Sequence, residues 1–401
     1  MTTARIVRHL HVVVFTTVTL LMATRAAIAQ SGMPQFRLVE DLRLDAIVED
    51  FSAFSRVVVG PKGTMAVPLP QDMQIRIYDS TGRRVAAVGR RGSGPGEFQH
   101  FGAMTWIGDT LFVDDGRQRR VSYIGATGEV LRTSMLQQPL APQIGGRAVP
   151  DTAYRFFIAQ AGSANGAVFG IATLSIRGAA SRRVLVSVLP TGAARVIATP
   201  PKYNDERWMI TIAGLENPVP FAFAPLIVFA ADGRRFAFVT TEQILSGGTY
   251  AVVVFNAKGD TVFVRRYPFL GVRIPPSVVD SAIDAMAPKP GQAREEGADP
   301  SRFQAIARQR IPAVYPPVDR VVLALDHTVW VTLRATPEGR EAIVLNARGA
   351  VVATVRLPPR SRVQQATSSH LWLTETDVDG LTSVVRYRIV RPGCAGSECG
   401  T

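Results

Sequence analysis

Cysteine and lysine are scarce in this sequence of 401 residues. The two cysteines, Cys394 and Cys399, lie in the C-terminal tail 392–401, so they cannot staple a core formed by the rest of the chain. In an oxidising compartment they could close a small local disulfide, and two free thiols are the alternative. Of the 45 basic residues only four are lysine, and the formal net charge is +13.

The sequence also lacks the common signatures of catalysis. No GK[ST] sequence follows the glycines at 89–96, and neither GxSxG nor HExxH occurs. Glu375, Asp377 and Asp379 imitate the start of a calcium loop. Position twelve of that loop, however, would be Arg386 instead of a bidentate glutamate. We therefore predict no cofactor and no metal, and we interpret 375–380 as a polar turn.

The N-terminus has the pattern of a secretory signal peptide. Arg5 and Arg8 precede the apolar run Val12–Ala23, and Ala27-Ile28-Ala29 offers a cleavage site before Gln30. The run is shorter than the roughly 20 residues that a membrane-spanning helix needs. The sequence predicts a signal peptide at 1–29 and a mature chain without a membrane span, located outside the cytoplasm (periplasmic or secreted). A basic chain can bind nucleic acid, but export argues against that partner.

The stretch from Gly89 to Thr133 predicts a β-meander. Glycines at 89, 92, 94 and 96 form a linker with Pro95 that is neither helix nor central strand. Apolar runs follow at 104–107, 111–113, 121–124 and 130–133, with turns at 108–109 and 126–128. Four antiparallel strands within about 45 residues are typical of one blade of a β-propeller.

This stretch resembles the NHL-type repeat, in which a linker ending in GPGEF precedes a hairpin of the form VxD….RV. The matching residues are Gly94-Pro95-Gly96-Glu97-Phe98, Val113, Asp115, Arg120 and Val121. Gln118 stands where the family usually has asparagine. The resemblance implies a propeller of the NHL-repeat/TolB-like superfamily. Asp115 and Arg120 flank one turn, and we predict that they form a structural ion pair.

The same two hairpins recur along the chain. First hairpins are predicted at 57–67, 147–159, 227–239, 322–331 and 365–374, and second hairpins at 77–89, 186–198, 253–265 and 343–355. With the central unit this indicates six blades, the last of which lacks its outer strand. The segment Phe36–Leu44 can supply that strand and remove an open sheet edge. The predicted fold is all-β: a single six-bladed β-propeller over 30–391, closed by the N-terminal strand.

The long segments are predicted to lie on one face of this disc. If the strands of each blade are named a to d, the a–b and c–d turns lie at one edge of the sheets, which we call the turn face. The b–c and d–a connections lie at the other edge, the loop face. The long segments 161–183, 200–225 and 268–318 all fall on the loop face, where binding sites are common. The turn face, which includes His327 and His370, is predicted to offer no concavity.

The longest of these segments predicts a helical-hairpin insertion at 275–312, between blades four and five. Apolar residues at 278, 279, 282, 283 and 286 share one helical face. Asp299-Pro300 begins a second helix that stops before Pro312. The insertion either packs against the rim of the disc or contacts a ligand or partner as a lid.

We predict binding on the loop face, by a monomer. Arginine donates bidentate hydrogen bonds and tryptophan offers a stacking plane, which favours an anionic or sugar-like ligand or a protein partner. The candidate binding residues are Arg90, Arg91, Tyr203, Asp205, Arg207 and Trp208. The alternative is an enzyme, since six-bladed propellers similar to this one include metal-dependent lactonases and lyases. Their channel-mouth ligand set has no convincing counterpart in the sequence, and no catalytic residue is predicted.

Overall fold

The computed structural model describes residues 33–144, 147–201, 209–212, 215–244, 247–286, 300–334 and 339–392. The predicted signal peptide and the two cysteines lie outside these residues. The described part is mostly β-strand with two short helices. None of its helices is long and apolar enough to cross a membrane.

Four sheets of four antiparallel strands follow one another along the chain, after the N-terminal strand β1 (Gln35–Leu44). The first contains β2 (Val58–Val59), β3 (Met65–Leu69), β4 (Gln74–Tyr78) and β5 (Arg84–Val88). The second contains β6 (Met104–Ile107), β7 (Thr110–Asp115), β8 (Arg120–Gly125) and β9 (Val130–Met135). A short hairpin of β10 (Gln143–Ile144) and β11 (Arg147–Ala148) comes next.

The third sheet contains β12 (Thr152–Gly162), β13 (Val168–Ile176), β14 (Arg182–Val188) and β15 (Ala194–Ala198). A second short hairpin, β16 (Met209–Ile212) and β17 (Leu215–Pro218), separates it from the fourth sheet. That sheet contains β18 (Leu226–Phe229), β19 (Arg235–Ile244), β20 (Gly247–Asn256) and β21 (Thr261–Leu270).

The remaining strands form one sheet of eight. They are β22 (Val318–Leu323), β23 (Val329–Leu333), β24 (Arg340–Leu345), β25 (Val351–Leu357), β26 (Ser361–Ala366), β27 (His370–Thr376) and β28 (Thr382–Val390), together with β1. The order in the sheet is β22-β23-β24-β25-β1-β28-β27-β26.

The predicted six separate blades are therefore wrong as a description of these sheets. β1 pairs antiparallel with β28 from Arg37 to Leu44, which confirms the partner predicted for 36–44. Its first two residues also pair in parallel with Thr354 and Val355 of β25. A β-strand has hydrogen-bonding groups along both edges. One edge of β1 pairs with β28, and the start of its other edge pairs with β25. β1 therefore joins the four-strand unit β22–β25 to a second four-strand unit, made of β26–β28 and β1 itself.

The buried core lies between neighbouring four-strand units. Residues of the first and second sheets pack together, as do those of the second and third, the third and fourth, and the fourth and β22–β25. Trp372 and Val384 of the last unit pack on Val59 and Met65 of the first. Trp106 also donates its indole N–H to the carbonyl of Val58 at 2.9 Å, across the first two sheets. The units thus close on themselves in a propeller-like arrangement.

The prediction for the third unit is wrong by one strand. The sequence predicts a hairpin at 147–159 and a long loop at 161–183, but strand β12 extends to Gly162 and β13 lies within the predicted loop. Glycine and alanine recur through this region, for example at Gly170 and Ala172, and they weaken the strand pattern. The b–c connection of this sheet is short.

The two longest connections, 199–225 and 271–317, agree with the prediction, and each joins the last strand of one unit to the first strand of the next. The longer one contains α1 (Pro276–Met286) and α2 (Pro300–Arg310), the two helices that the sequence predicted. Ile283 and Ala307 of these helices pack on Ile210 and Val219 of the other connection. The two insertions therefore form a common layer with its own small core.

Candidate functional site

The glycine-rich linker is fixed by its own glutamate. Glu97 accepts hydrogen bonds from the backbone N–H of Gly94 and from the side chain of Arg90, each at 2.8 Å. These bonds lower the pKa of the Glu97 carboxyl. Arg90 and Arg91 are both exposed, and Arg90 forms an ion pair with Glu97.

The predicted ion pair between Asp115 and Arg120 is wrong. The amide of Gln118 donates to Asp115 at 2.7 Å, and Arg120 donates to the backbone carbonyls of Ser93 (2.7 Å) and Glu97. A buried carboxylate that receives N–H donors needs no cation beside it. Both charged residues instead bind the linker to the turn after β7.

The other four predicted binding residues, Tyr203, Asp205, Arg207 and Trp208, lie outside the described residues. Neither Arg90 nor Arg91 lines the cavities described below. The predicted set therefore stays a prediction.

A cavity of about 590 Å³ opens on the loop face beside the first strands of the first three sheets. It is lined by the connection before β6, the end of β7 and the middle of β12. Its polar residues include Arg56, His100, Asp114, Gln138 and Gln160. A volume of this size lies within the range of small-molecule sites.

Asp114 is the unusual residue of this cavity. Its side chain is buried, with 4% exposed, and its Oδ1 atom has no hydrogen-bond partner in the described part of the chain. Burial raises the pKa of the carboxyl to about 6, with a smaller contribution from the charge of Asp115. A hydrogen bond from the backbone of Ala103 and the charge of Arg56 oppose this rise. A residue that lines the cavity therefore keeps a buried acceptor atom that protein groups leave unused.

The groups around Asp114 hold its carboxylate in place. Arg56 donates to the backbone carbonyl of Gly102, and burial lowers the pKa of its guanidinium. A Cβ atom on Gly102 would lie 2.1 Å from Oδ2 of Asp114, so only glycine leaves room for the carboxylate there. No sequence pattern indicates this site, because Asp114 directly follows the predicted strand 111–113 as one of several polar residues.

Phe156 lines the same cavity in a strained conformation. Its φ is 53°, where a bulky side chain is rare, and its side chain is 80% exposed. The strain accompanies an irregular register between Arg155 and Ile158 of β12. Strained residues concentrate at functional sites, where the surrounding structure maintains them. The exposed ring therefore marks this cavity rim as a place for contact with a ligand.

The expectation that the turn face offers no concavity is wrong. A second cavity, of about 850 Å³, opens there and is lined by a–b turns of every four-strand unit. Each turn alone is too tight to form a cavity. Turns from all the units meet around the axis of the ring, however, and together they enclose one. This cavity is on the opposite side from Asp114.

His370 takes part in a contact that the sequence did not reveal. Its Nε2 lies 3.2 Å from Oδ2 of Asp41 in β1, and Oγ of Ser369 lies 2.8 Å from its Nδ1. Arg386 donates to the other oxygen of Asp41 at 2.9 Å. Burial lowers the pKa of His370, although Asp41 opposes the shift. These bonds tie β1 to the last unit.

No three histidine, cysteine, aspartate or glutamate side chains among the described residues lie close enough to hold a metal ion. The supposed calcium loop is a turn in which Asp377 accepts the backbone N–H groups of Asp379 (3.0 Å) and Leu381 (2.8 Å). The predicted polar turn is confirmed from Asp377 onward, whereas Glu375 belongs to β27.

No family model matches the chain, and no curated protein matches it. Similar solved structures include a member of the DUF4221 family from Bacteroides vulgatus, with a TM-score of 0.47 and 14% identity over 90% of this chain and 99% of that chain. Virginiamycin B lyase from Staphylococcus aureus has a TM-score of 0.36 and 12% identity, over 88% of this chain and 100% of the lyase. Regucalcin, a calcium-binding protein from Agrobacterium tumefaciens, has a TM-score of 0.35 and 13% identity, over 89% of this chain and 97% of that one. Likenesses this weak carry no functional argument, so function has to be inferred from the residues of this chain.

Proposed function

We propose that this chain is an exported β-propeller that binds a sugar-like ligand in the loop-face cavity at Asp114. In this proposal the eight-stranded sheet acts as two of six blades, and 30–391 is a single domain related to the NHL-repeat/TolB-like propellers. The observation that carries the proposal is the buried, unpartnered Oδ1 atom of Asp114 inside a cavity.

The residues around the cavity favour a polyhydroxylated ligand over an anion. Asp114 can accept a hydrogen bond from a ligand hydroxyl, and the amides of Gln138 and Gln160 can both donate and accept. The exposed ring of Phe156 offers an apolar surface for a sugar face. A ligand carboxylate or phosphate placed against the ionised Asp114 would be repelled by it, although Arg56 and Arg119 also line the cavity. Arg90, Arg91, Tyr203, Asp205, Arg207 and Trp208 would then contact outlying parts of a longer ligand on the same face.

An oligosaccharide array tests this function. Phe156→Ala should lower the affinity for any oligosaccharide that the wild type binds by about tenfold, since aromatic contacts contribute about 0.5–1.5 kcal/mol beyond the area they bury. Val48→Ala is a suitable control because Val48 is 82% exposed and lies away from the cavity. Both variants should keep the wild-type melting temperature. Equal array signals from Phe156→Ala and the wild type would contradict the proposal, as would an array without any bound sugar.

Export has a separate test. N-terminal sequencing of the protein from its native source should find Gln30 as the first residue, because Ala27-Ile28-Ala29 fits the small-residue rule for signal peptidase. Recovery of an intact chain from Met1 in the membrane fraction would show that the segment is retained and that the protein is not released.

A further inference from the structure

We propose that the turn-face cavity is a second binding site, for an organic phosphate or sulfate ester. It is distinct from the Asp114 cavity and is larger, at about 850 Å³. Turns from all the four-strand units meet there, so the site exists only in the closed ring. Its size fits a small molecule.

Positive charge predominates in this cavity. Arg195, Arg234 and Lys258 line it and are exposed, and none of them has a side-chain hydrogen bond or ion pair in the described part of the chain. Arg195 and Lys258 lie at the c–d turns of the third and fourth sheets, whereas Arg234 lies at an a–b turn. Three free cations from two neighbouring sheets therefore converge on one concave space.

The cavity is also lined by two carboxylates, whose charges have to be set against these cations. Asp232 and Asp326 are the acidic groups whose charges act on the buried guanidinium of Arg235. Arg235 itself donates to the backbone carbonyls of His327 (3.0 Å) and Ala324, both neutral groups. With Arg235 included, four cations stand against the two aspartates at this cavity, so a net positive charge of two remains to attract an anion.

The aspartates are also fixed by their own turns. Asp232 accepts the backbone N–H of Arg234 at 3.0 Å, and Asp326 accepts the N–H (3.0 Å) and hydroxyl (2.7 Å) of Thr328. Each carboxylate is therefore held through its Oδ1 atom, and neither forms an ion pair with the three cations within the described part of the chain. A ligand oxyanion with at least two negative charges supplies the missing charge, because arginine and lysine donate charge-assisted hydrogen bonds to phosphate and sulfate oxygens.

Apolar side chains complete the lining and explain why the ligand should be organic. Phe169, Leu189 and Leu325 share the cavity with the charged residues. A phosphate or sulfate ester can place its charged group against the cations and its organic part against these side chains.

Calorimetric titration with inorganic pyrophosphate, phosphate and sulfate at constant ionic strength tests the proposal. Pyrophosphate should bind the mature chain saturably at one site. Arg234→Gln and Lys258→Gln should each weaken it about five- to tenfold, since each removes a charge-assisted hydrogen bond whose contribution is reduced by exposure to solvent. Asp326→Asn keeps the turn oxygen but removes a repelling charge, so it should tighten binding a few-fold.

The chain offers a matched control for Lys258. Arg348 occupies the same place in an equivalent turn: Asn256-Ala257-Lys258-Gly259 and Asn346-Ala347-Arg348-Gly349 differ only in the cation. In each turn the asparagine side chain accepts the backbone N–H of that cation at 2.9 Å. Arg348 does not line the cavity, so Arg348→Gln should leave the affinity unchanged.

Equal weakening by Arg348→Gln would show general attraction to a basic surface and overturn the proposal. Absence of saturable binding, or binding that ignores Arg234→Gln and Lys258→Gln, would do the same. Sulfate binding as tight as that of phosphate supports a site for oxyanion esters of either kind, whereas a clear preference for phosphate and pyrophosphate assigns it to phosphate esters. Unchanged melting temperatures of all the variants would confirm that these affinities describe folded protein.

Discussion

A chain that begins at Ala46 is expected to unfold at a much lower temperature than one that begins at Gln30. The truncation removes β1 and exposes the edge of β28, with which β1 pairs along most of its length. It also removes Leu44, which is buried, and Phe36 and Leu38, which pack on the core of the last two four-strand units. Each fully buried apolar side chain contributes about 1.5–3 kcal/mol. The combined loss is therefore a large share of the roughly 5–15 kcal/mol that stabilises a domain.

A pair of point variants measures the same effect without a new terminus. Leu44→Ala should lower the free energy of unfolding by about 2–5 kcal/mol, the usual range for a buried leucine. Ile47→Ala, three residues away, should change it little, because Ile47 is 74% exposed whereas Leu44 is 3% exposed. Denaturant titration of both variants is the measurement. Equal stability of the Ala46 chain and the longer chain would contradict the role assigned to β1.

Asp114→Asn is expected to stabilise the protein above pH 6 while it impairs ligand binding. The pKa of Asp114 is about 6 in the folded protein and about 3.9 in an unfolded chain, so the folded state binds its proton more tightly. Stability therefore falls as pH rises from about 4 to 6, because ionisation then costs more in the folded state. The full cost is at most about 3 kcal/mol above pH 7. Asparagine has a similar shape and no charge, so it removes that cost.

The pH dependence separates this effect from a general change in packing. The stability difference between Asp114→Asn and the wild type should be largest at pH 7.5 and should vanish near pH 4, where Asp114 is protonated. Asp379→Asn is the control, since Asp379 is an exposed carboxylate in a turn far along the chain. Denaturant titrations at several pH values measure both variants. A difference for Asp114→Asn that does not vary with pH would contradict the raised pKa.

Local patterns predicted the architecture where each strand carries a strong apolar signal. The strands of the second sheet lie within one or two residues of the predicted runs. The large apolar residues Trp106, Leu111 and Phe112 stand on either side of the turn at Gly108, and all three are fully buried. The two helices were also predicted, since Pro276 and Pro300 mark their first residues. The pairing of β1 with β28 was predictable because the last predicted blade has only three strands and the segment 36–44 can supply the fourth.

Long-range pairing could not be predicted from such patterns. Nothing in the sequence of Gln35 and Phe36 indicates a parallel partner at Thr354 and Val355, because sheet register across some 320 residues depends on the whole fold. The shifted third sheet has a different cause. Its strands contain residues such as Gly170 that strands generally avoid, and they are stabilised by neighbouring sheets instead of by their own propensity.

The candidate site was missed for a related reason. Asp114 and Asp115 lie side by side at the end of β7, which extends beyond the predicted run 111–113, and period-two alternation directs their side chains to opposite faces. Asp115 is satisfied by Gln118, whereas Asp114 faces the cavity with an unused oxygen. Which of these two aspartates lacks a hydrogen-bond partner depends on the residues from other parts of the chain that pack against them. The long connections in the sequence favour the loop face for binding, but they do not identify Asp114.

The central claim, that ligand binds at Asp114, is tested most directly by calorimetric titration at pH 7.5 with the oligosaccharide that gives the strongest array signal. The account predicts that Asp114→Asn weakens binding at least about tenfold, because the ligand hydroxyl loses a charged acceptor. It also predicts that Lys258→Gln, on the turn face, leaves the affinity unchanged. Unchanged affinity of Asp114→Asn, or a loss of affinity in Lys258→Gln alone, would place the sugar elsewhere and contradict the account.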